Sequence, residues 1–485
     1  MEKIRILIDK YDSFSIQVKA SFWFLICSFM QKGISVITTP IFTRLLSTYE
    51  YGQYSIFSSW SAILTIFVTM RLSAGVYQQG LIKFDGERNV FSSSLQGLSL
   101  CLLLIWMIFY LLWYNYWNTI VMLNTTQMVV MLLTIWTTAI FEFWAAEQRV
   151  YYNYKALVTL TIAVSVAKPI LGIFLVTRAT DKVTARIIGL LTVEAIAYLG
   201  LFISQMKRGK VFYSSRFWKY ALLYNIPLIP HYLSQTVLNN ADRIMINNMV
   251  GEAEAGIYSL AYSVALIMTL FNTALNQTMA PWMYQKIKER KEENLASLAY
   301  ISLVIVAIGN LFLIALAPEV VRIFAPVSYY EAIWVIPPVA ISAFFMFSYD
   351  LFAKFAFYYE RTRMIMLASI VGALLNILLN YIFIKIFGYI AAGYTTLACY
   401  MLYCIAHYIL MTKVCDQFCD GVRPYNLKLL ISFSGLFMMC GFLITATYQT
   451  TYVRYGVVVM MVIMLVVNKN KMKEAIQKFK IARNN

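Results

Sequence analysis

The chain has 485 residues, 61% of them hydrophobic and only 13% charged, with a net charge of +17 and a mean hydropathy of +0.67. A soluble protein of this length carries about a quarter of its residues as charges, so a soluble enzyme or a nucleic-acid-binding module is excluded. The apolar residues fall in blocks of about twenty, enough to cross a hydrocarbon core of roughly 30 Å as a helix, and no soluble domain fits between them.

Residues 1–20 do not read as a cleavable leader, because Glu2, Asp9 and Asp12 interrupt the basic residues and no small-residue cleavage site follows. Ile4, Leu7, Ile8 and Tyr11 share one helical face, with Lys3, Arg5 and Lys10 off it. An in-plane surface helix or a frayed tail fits that pattern over 1–19.

Fourteen spans are then expected, near 20–42, 53–73, 92–114, 119–141, 156–177, 183–206, 221–247, 254–280, 296–316, 331–353, 364–386, 388–412, 427–446 and 452–468. The fold class is all-α integral membrane protein. A six-helix lobe covers 20–206, a basic linker 207–220, a second six-helix lobe 221–412, two additional helices 413–468 and a basic tail 469–485. Lys and Arg outnumber those of the opposite loops by roughly four to one in the set that includes both ends. Both termini are therefore expected in the cytoplasm. Lys207-Arg208-Gly209-Lys210, the run from Lys286 to Lys291 and the tail are expected to touch anionic lipid heads rather than nucleic acid.

A short pattern recurs about 204 residues apart. Glu50, Gly52, Tyr54 and Ser55 after the first span coincide with Glu254, Gly256, Tyr258 and Ser259 after the seventh. The repeat implies two similar halves, a plan common among secondary transporters. Pro40 in span one, and Pro227 and Pro230 in span seven, make these two helices candidate bending elements.

No soluble catalytic constellation is present. There is no P-loop and no Gly-rich dinucleotide turn, and His231 and His407 sit in different spans. Cys415 and Cys419 flank Asp416 without a second pair or a nearby His, so neither a metal nor another cofactor is expected. Transport energy would come from a proton or sodium gradient or from the substrate's own.

The informative residues are the ionisable ones inside spans, since a charge at mid-bilayer costs at least ~2.5–3.5 kcal/mol and usually faces a cavity or a partner. Lys32 lies in the middle of span one and Lys168 in the centre of span five, beside Pro169, which is expected to break helix continuity. Arg71 and Lys354 lie at inner span ends, where they either snorkel or line a cavity. Arg243 lies near the outer end of span seven. The acids are Glu194, Asp242 and Asp350, with Glu142 at a rim. Asp350 and Lys354 are spaced for an intrahelical pair. Asp242 and Arg243, being adjacent, point to different faces. The cation excess suits a water-filled cavity for an anion.

Lys32-Gly33 followed by the stretch from Thr39-Pro40 through Arg44 to Tyr54 resembles the opening of the bacterial polysaccharide-export flippases. The stretches Asn225-Ile226-Pro227-Leu228-Ile229-Pro230, Asn240-Ala241-Asp242-Arg243 and Glu254 to Ser259 resemble the start of their second half. These are the O-antigen and capsule repeat-unit translocases, called Wzx, of the superfamily that includes the multidrug MATE carriers and the lipid II flippase. The resemblance covers about residues 20–410. It implies a V-shaped bundle of two six-helix lobes, here with two more helices. It also implies export of an undecaprenyl-pyrophosphate-linked oligosaccharide across the inner membrane, and possible association with a polysaccharide polymerase. Arg44 and Asp242-Arg243 match family positions; Lys32, Arg71 and Lys168 come from the cavity argument. The substrate-binding candidates are thus Lys32, Arg44, Arg71, Lys168 and Arg243, and Glu194, Asp242 and Asp350 are ion-coupling or structural acids.

Three readings compete with this one. A MATE-type drug exporter wants an acid in span one, and none occurs between Asp12 and Glu50. A lipid II flippase shares the substrate chemistry. A membrane-embedded glycan polymerase or ligase would carry a long outer loop, and the outer loops here are short.

Overall fold

Every regular element of the computed structural model, which describes residues 15–265 and 267–469, is a helix. In chain order they are α1 Ile16–Leu45, α2 Thr48–Thr69, α3 Val76–Lys83, α4 Arg88–Leu112, α5 Tyr114–Val121, α6 Thr125–Val150, α7 Tyr154–Val176, α8 Lys182–Gly209, α9 Ser215–Asn225 and α10 Ile229–Met249. There follow α11 Glu252–Ala265, α12 Ile267–Lys288, α13 Leu295–Ala315, α14 Ala317–Phe324, α15 Ile336–Tyr358, α16 Thr362–Phe387, α17 Ala391–Phe418, α18 Leu427–Ala446 and α19 Thr451–Val467.

Among the described residues eleven candidate spans are long and apolar enough to cross a membrane, fewer than the fourteen expected from sequence. The remaining expected spans form α2, α10 and α19. The first two are diluted by polar residues, and α19 has only 17 residues. Of the expected in-plane helix over 1–19, Ser15 caps α1, residues 16–19 belong to it and 1–14 lie outside the described residues, as does almost all of the basic tail.

Helix ends follow local capping chemistry. Ser47 and Glu50 form a reciprocal capping box at α2, with Ser47 N donating to Glu50 Oε2 at 2.8 Å and Glu50 N to Ser47 Oγ at 3.2 Å. Asn124 and Gln127 do the same at α6. Pro40 and Pro169 lie inside α1 and α7, which run through them without ending. The expected break at Pro169 is thus corrected: the proline removes one ladder donor but flanking turns hold the helix. Pro227, by contrast, sits in a 3₁₀ turn, Ile226–Leu228, between α9 and α10.

The chain divides into two compact units, residues 1–236 and 237–485, with the boundary inside α10 rather than at the basic stretch 207–220. The reason is packing: Phe217 and Ala221 of α9 are buried in one cluster with Phe91, Leu95 and Phe143. Asn225 Nδ2 also donates to the carbonyls of Met70 and Arg71 at 2.9 Å each.

Within the first unit a second apolar cluster joins α2, α4, α6 and α8 through Phe57, Leu64, Tyr110, Met131, Ile135 and Ile187. A buried polar network holds α4, α6 and α8 together. Glu147 accepts from Arg208 at 2.7 and 2.9 Å and from Gln205 at 2.7 Å, and Gln96 donates to Gln205 at 2.7 Å. In the second unit α15 is buried along most of its length, with α17 its principal neighbour. The last two helices are fixed by specific contacts. Tyr448 Oη donates to Ile314 O at 2.6 Å, and the buried Arg454 grips Glu319 at 2.5 and 3.0 Å. Leu367, Val371, Leu374 and Leu378 leave one stripe of α16 apolar and exposed, as a lipid-facing surface requires.

Candidate functional site

In the first unit an ion pair lies midway along the spans. Lys168, midway along α7, places Nζ 2.5 Å from Glu194 Oε1 on α8. The other carboxylate oxygen accepts from Thr137 at 2.6 Å and Thr138 at 3.0 Å, both on α6. The Glu194 side chain is 4% exposed and that of Lys168 28%, so the acid is sealed and the cation is reachable. Three helices thus meet at one carboxylate, and the lost hydration of Glu194 is replaced by three donors.

Lys32 is exposed near the middle of α1 and makes no ion pair among the described residues. Phe42 lies against Gly172, so α1 and α7 run side by side there, and Cys27 neighbours Thr161. These two points give a parallel register that puts Lys32 roughly 3–9 Å before Lys168 along the axis, at 1.5 Å per residue. Arg44, exposed at the far end of α1, turns back so that Nη1 donates to Pro40 O at 2.8 Å.

Arg71 is not inside a span. α2 stops at Thr69, because Met70 and Arg71 both adopt left-handed backbone (φ +48° and +50°), and the Arg71 guanidinium lies 5.5 Å from the Tyr232 ring centre. Glu142 accepts from Ser73 at 2.5 Å.

The second unit is organised around Asp242 on α10, 1% exposed. Tyr258 Oη donates to Oδ2 at 2.7 Å, Thr396 Oγ1 to Oδ2 at 2.8 Å and Asn380 Nδ2 to Oδ1 at 2.6 Å. Asn380 is itself bonded to Asn376 at 3.2 Å and to Thr395. Arg243 points elsewhere: its guanidinium stacks 4.4 Å from the Tyr262 ring centre and donates to Asn239 O at 3.1 Å. Among the described residues the partners of Asp242 are neutral, whereas Glu194 has a cation. Asp350 and Lys354 pair along α15 at 3.2 Å.

The repeated Gly, Tyr and Ser residues lie in α2 and α11 and are used differently in the two units. Tyr258 serves Asp242, but its counterpart Tyr54 lies under the guanidinium of Arg186, 3.4 Å from its ring centre, with Phe42 at 3.7 Å from the same group. Sequence reasoning missed Arg186, Thr137, Thr138, Asn376, Asn380 and Thr396. Asn376 and Asn380, four residues apart in an apolar helix, were a usable signal. Cys415 is buried within α17 rather than in a loop, and Cys419 Sγ lies 3.4 Å from Tyr359 Oη.

Comparison with known proteins adds three findings. A family model described as polysaccharide biosynthesis protein matches residues 18–286, and the MatE model matches residues 227–382. Two Haemophilus influenzae proteins are similar in sequence. The Lsg locus putative protein 1 is 24% identical over 210 residues, which cover 41% of this chain and 51% of that protein. An uncharacterized membrane protein is 21% identical over 377 residues, 74% of this chain and 88% of that one. The match thus spans about half the length of the first of these relatives. Among solved structures, lipid II flippase MurJ in an inward closed conformation superposes with a TM-score of 0.66 at 14% identity, covering 89% of this chain and 99% of that chain. An inward-facing MATE family multidrug transporter of the MOP superfamily superposes with a TM-score of 0.62 at 13% identity, covering 81% and 96%. These likenesses establish the fold.

Proposed function

The chain belongs to the polysaccharide biosynthesis protein family, and on that premise we propose that it is a flippase for a lipid-linked glycan. It turns undecaprenyl-pyrophosphate-linked oligosaccharide repeat units, of O-antigen, capsule or similar type, from the cytoplasmic to the outer leaflet of a bacterial inner membrane by alternating access. Both termini are cytoplasmic in this reading, and a polysaccharide polymerase is a candidate partner. The observation that carries the proposal is the family match over more than half of the chain. The interior cations support it. A pyrophosphate needs positive charge to cross a low-dielectric layer, and Lys32 and Lys168 supply it on neighbouring helices, with Arg243 in the second unit and Arg44 and Arg71 at helix ends.

Asp242 is the seat we assign to a coupling proton or sodium ion. Its partners are hydroxyls and amides, which reorient between donating and accepting, so loading and unloading leave no counter-charge stranded. Glu194 serves to hold Lys168, and Asp350 to hold Lys354.

Accumulation of the lipid-linked repeat unit on the cytoplasmic leaflet of a deletion strain, with loss of surface polysaccharide, tests the reading. Complementation by the wild-type chain but not by Lys168→Ala is expected. The MatE match over 227–382 favours a second reading, an ion-coupled drug exporter. Normal surface polysaccharide with reduced dye efflux in the same strain would replace the first reading by the second.

A further inference from the structure

α1 is buried at two places, near Ala20 and Cys27 and at Phe42 and Thr43. No residue from 28 to 41 is buried, a stretch of about 21 Å at 1.5 Å per residue that carries Lys32 and Pro40. The anchor at the far end is built from the start of α8. Lys182 Nζ donates to Leu45 O, the last carbonyl of α1, at 3.0 Å and lies 3.8 Å from Glu50 Oε2. One turn further along α8, the Arg186 guanidinium carbon stands 3.7 Å from the ring centre of Phe42 and 3.4 Å from that of Tyr54. Phe42 also lies against Gly172 of α7, where an added Cβ would come 3.2 Å from its Cζ.

What holds Arg186 is aromatic. Its Nη1 is buried without a hydrogen-bond partner among the described residues, and Glu50 is engaged by Ser47 and Lys182. A charge that loses water at the end of a span is costly, and a planar guanidinium recovers that cost by stacking on rings better than an ammonium does. The internal repeat points the same way. Tyr258, the counterpart of Tyr54, donates to Asp242 and so fastens α10, the helix before it. Tyr54 fastens α1, the helix before it, through Arg186 and Phe42. In each unit this tyrosine seats a helix that carries a candidate site residue, Asp242 in one and Lys32 in the other.

We propose that Arg186 is a positioning residue: it seats the end of α1 and thereby sets where Lys32 stands beside Lys168. The role of Lys32 rests on the flippase reading, whereas the seat rests on the geometry of Arg186, Phe42 and Tyr54 alone. With the anchor at Cys27 kept, a swing of α1 by about 15° moves Ile37, ten residues on, by about 4 Å. Lys32 lies between the two anchors and moves with it.

The test uses the full chain in phosphatidylcholine nanodiscs. Spin labels are carried by a ketone-bearing amino acid in place of Ile37 and Ile196, exposed residues of α1 and α8, so that the seven native cysteines stay. Arg186→Met and Tyr54→Leu are each expected to shift or broaden the distance between the labels by about 4 Å, and the milder Arg186→Lys to do so by less. Tyr54→Phe, which keeps the ring, and Arg178→Met, which removes an exposed arginine stacked on Phe174, are expected to leave it as in wild type. An unchanged distance in Arg186→Met overturns the proposal. Binding of fluorescent farnesyl pyrophosphate is the second readout. Lys32→Gln is expected to weaken it about tenfold, the loss of one charge-assisted contact, and Arg186→Met about threefold, the loss of part of that contact. The double variant is expected to bind no more weakly than Lys32→Gln alone, because Arg186 acts through Lys32. A further threefold loss in the double variant shows that Arg186 reaches the ligand by another route and overturns the positioning role. Wild-type binding by Lys32→Gln removes Lys32 from the flippase reading, and the label distance then decides the seat by itself.

Discussion

Glu194 offers the sharpest separation of stability from function. Replacing it by Ala removes the acceptor of three donors. Thr137 also lies 3.0 Å from the Thr134 carbonyl and can turn to it, and Thr138 is only partly buried, so most of the loss falls on Lys168. Breaking a buried pair by deleting one partner costs about 3–5 kcal/mol. The Lys168 side chain is 28% exposed and regains some hydration, which puts Glu194→Ala near the lower end, about 3 kcal/mol. Glu194→Gln keeps an acceptor and loses less. The paired replacement Lys168→Met with Glu194→Leu removes both charges for similar volume, and such swaps are often neutral or stabilising by about 1–4 kcal/mol. Thermal unfolding in detergent is therefore expected to rank the double variant at or above wild type and Glu194→Ala lowest. Leaflet-resolved transport of the lipid-linked glycan is expected to fail in all of them, because none retains a correctly held ammonium. A well-folded double variant that transports at the wild-type rate would show that the pair is a packing device and that Lys168 does not meet the substrate.

Three further outcomes are expected. Asp242→Asn keeps the size of the side chain and removes its charge, so transport in proteoliposomes is expected to lose its response to collapse of the proton or sodium gradient; an unchanged response excludes Asp242 as the coupling site. Glu319→Ala strands the Arg454 guanidinium, whose side chain is 2% exposed, at a cost of about 3–5 kcal/mol, whereas Arg454→Met leaves a 25%-exposed carboxylate in reach of water, so unfolding temperatures should rank Glu319→Ala well below Arg454→Met. Gly97→Ala puts a Cβ 2.1 Å from the Phe212 carbonyl, a backbone atom, and is expected to lose about 1–3 kcal/mol and folded yield on size exclusion, while Gly200→Ala, with nothing within 4 Å, does not.

The helical class and most spans were legible because a bilayer demands long apolar helices, and little in soluble proteins imitates them. Boundaries failed where local backbone chemistry prevailed over hydropathy. Residues 331–334 were expected to open the tenth span, yet they belong to the 3₁₀ segment Val327–Trp334, and α15 starts only at Ile336, with Pro337 and Pro338 supplying its first turn. Met70 and Arg71 end α2 in left-handed geometry without a glycine or asparagine to announce it. Site reasoning went by charge, which is why it reached Lys168, Glu194, Asp242 and Arg243. It passed over Asn380, Thr396 and Thr137, neutral residues that hold those charges and look ordinary in one dimension. Arg186 lay at a span end, and only its enclosure by Phe42 and Tyr54 distinguishes it from a solvated arginine.

The two buried carboxylates differ in one respect that has an electrical consequence. Glu194 stands opposite the ammonium of Lys168, so the charges of that site offset one another. Asp242 is held by two hydroxyls and an amide, which bring no counter-charge of their own. The resting potential acts on charges that move, by about 2.3 kcal/mol per elementary charge for each 100 mV. If Asp242 carries the coupling ion, as proposed, voltage dependence measured without substrate is expected to report on Asp242 rather than on the Lys168–Glu194 pair.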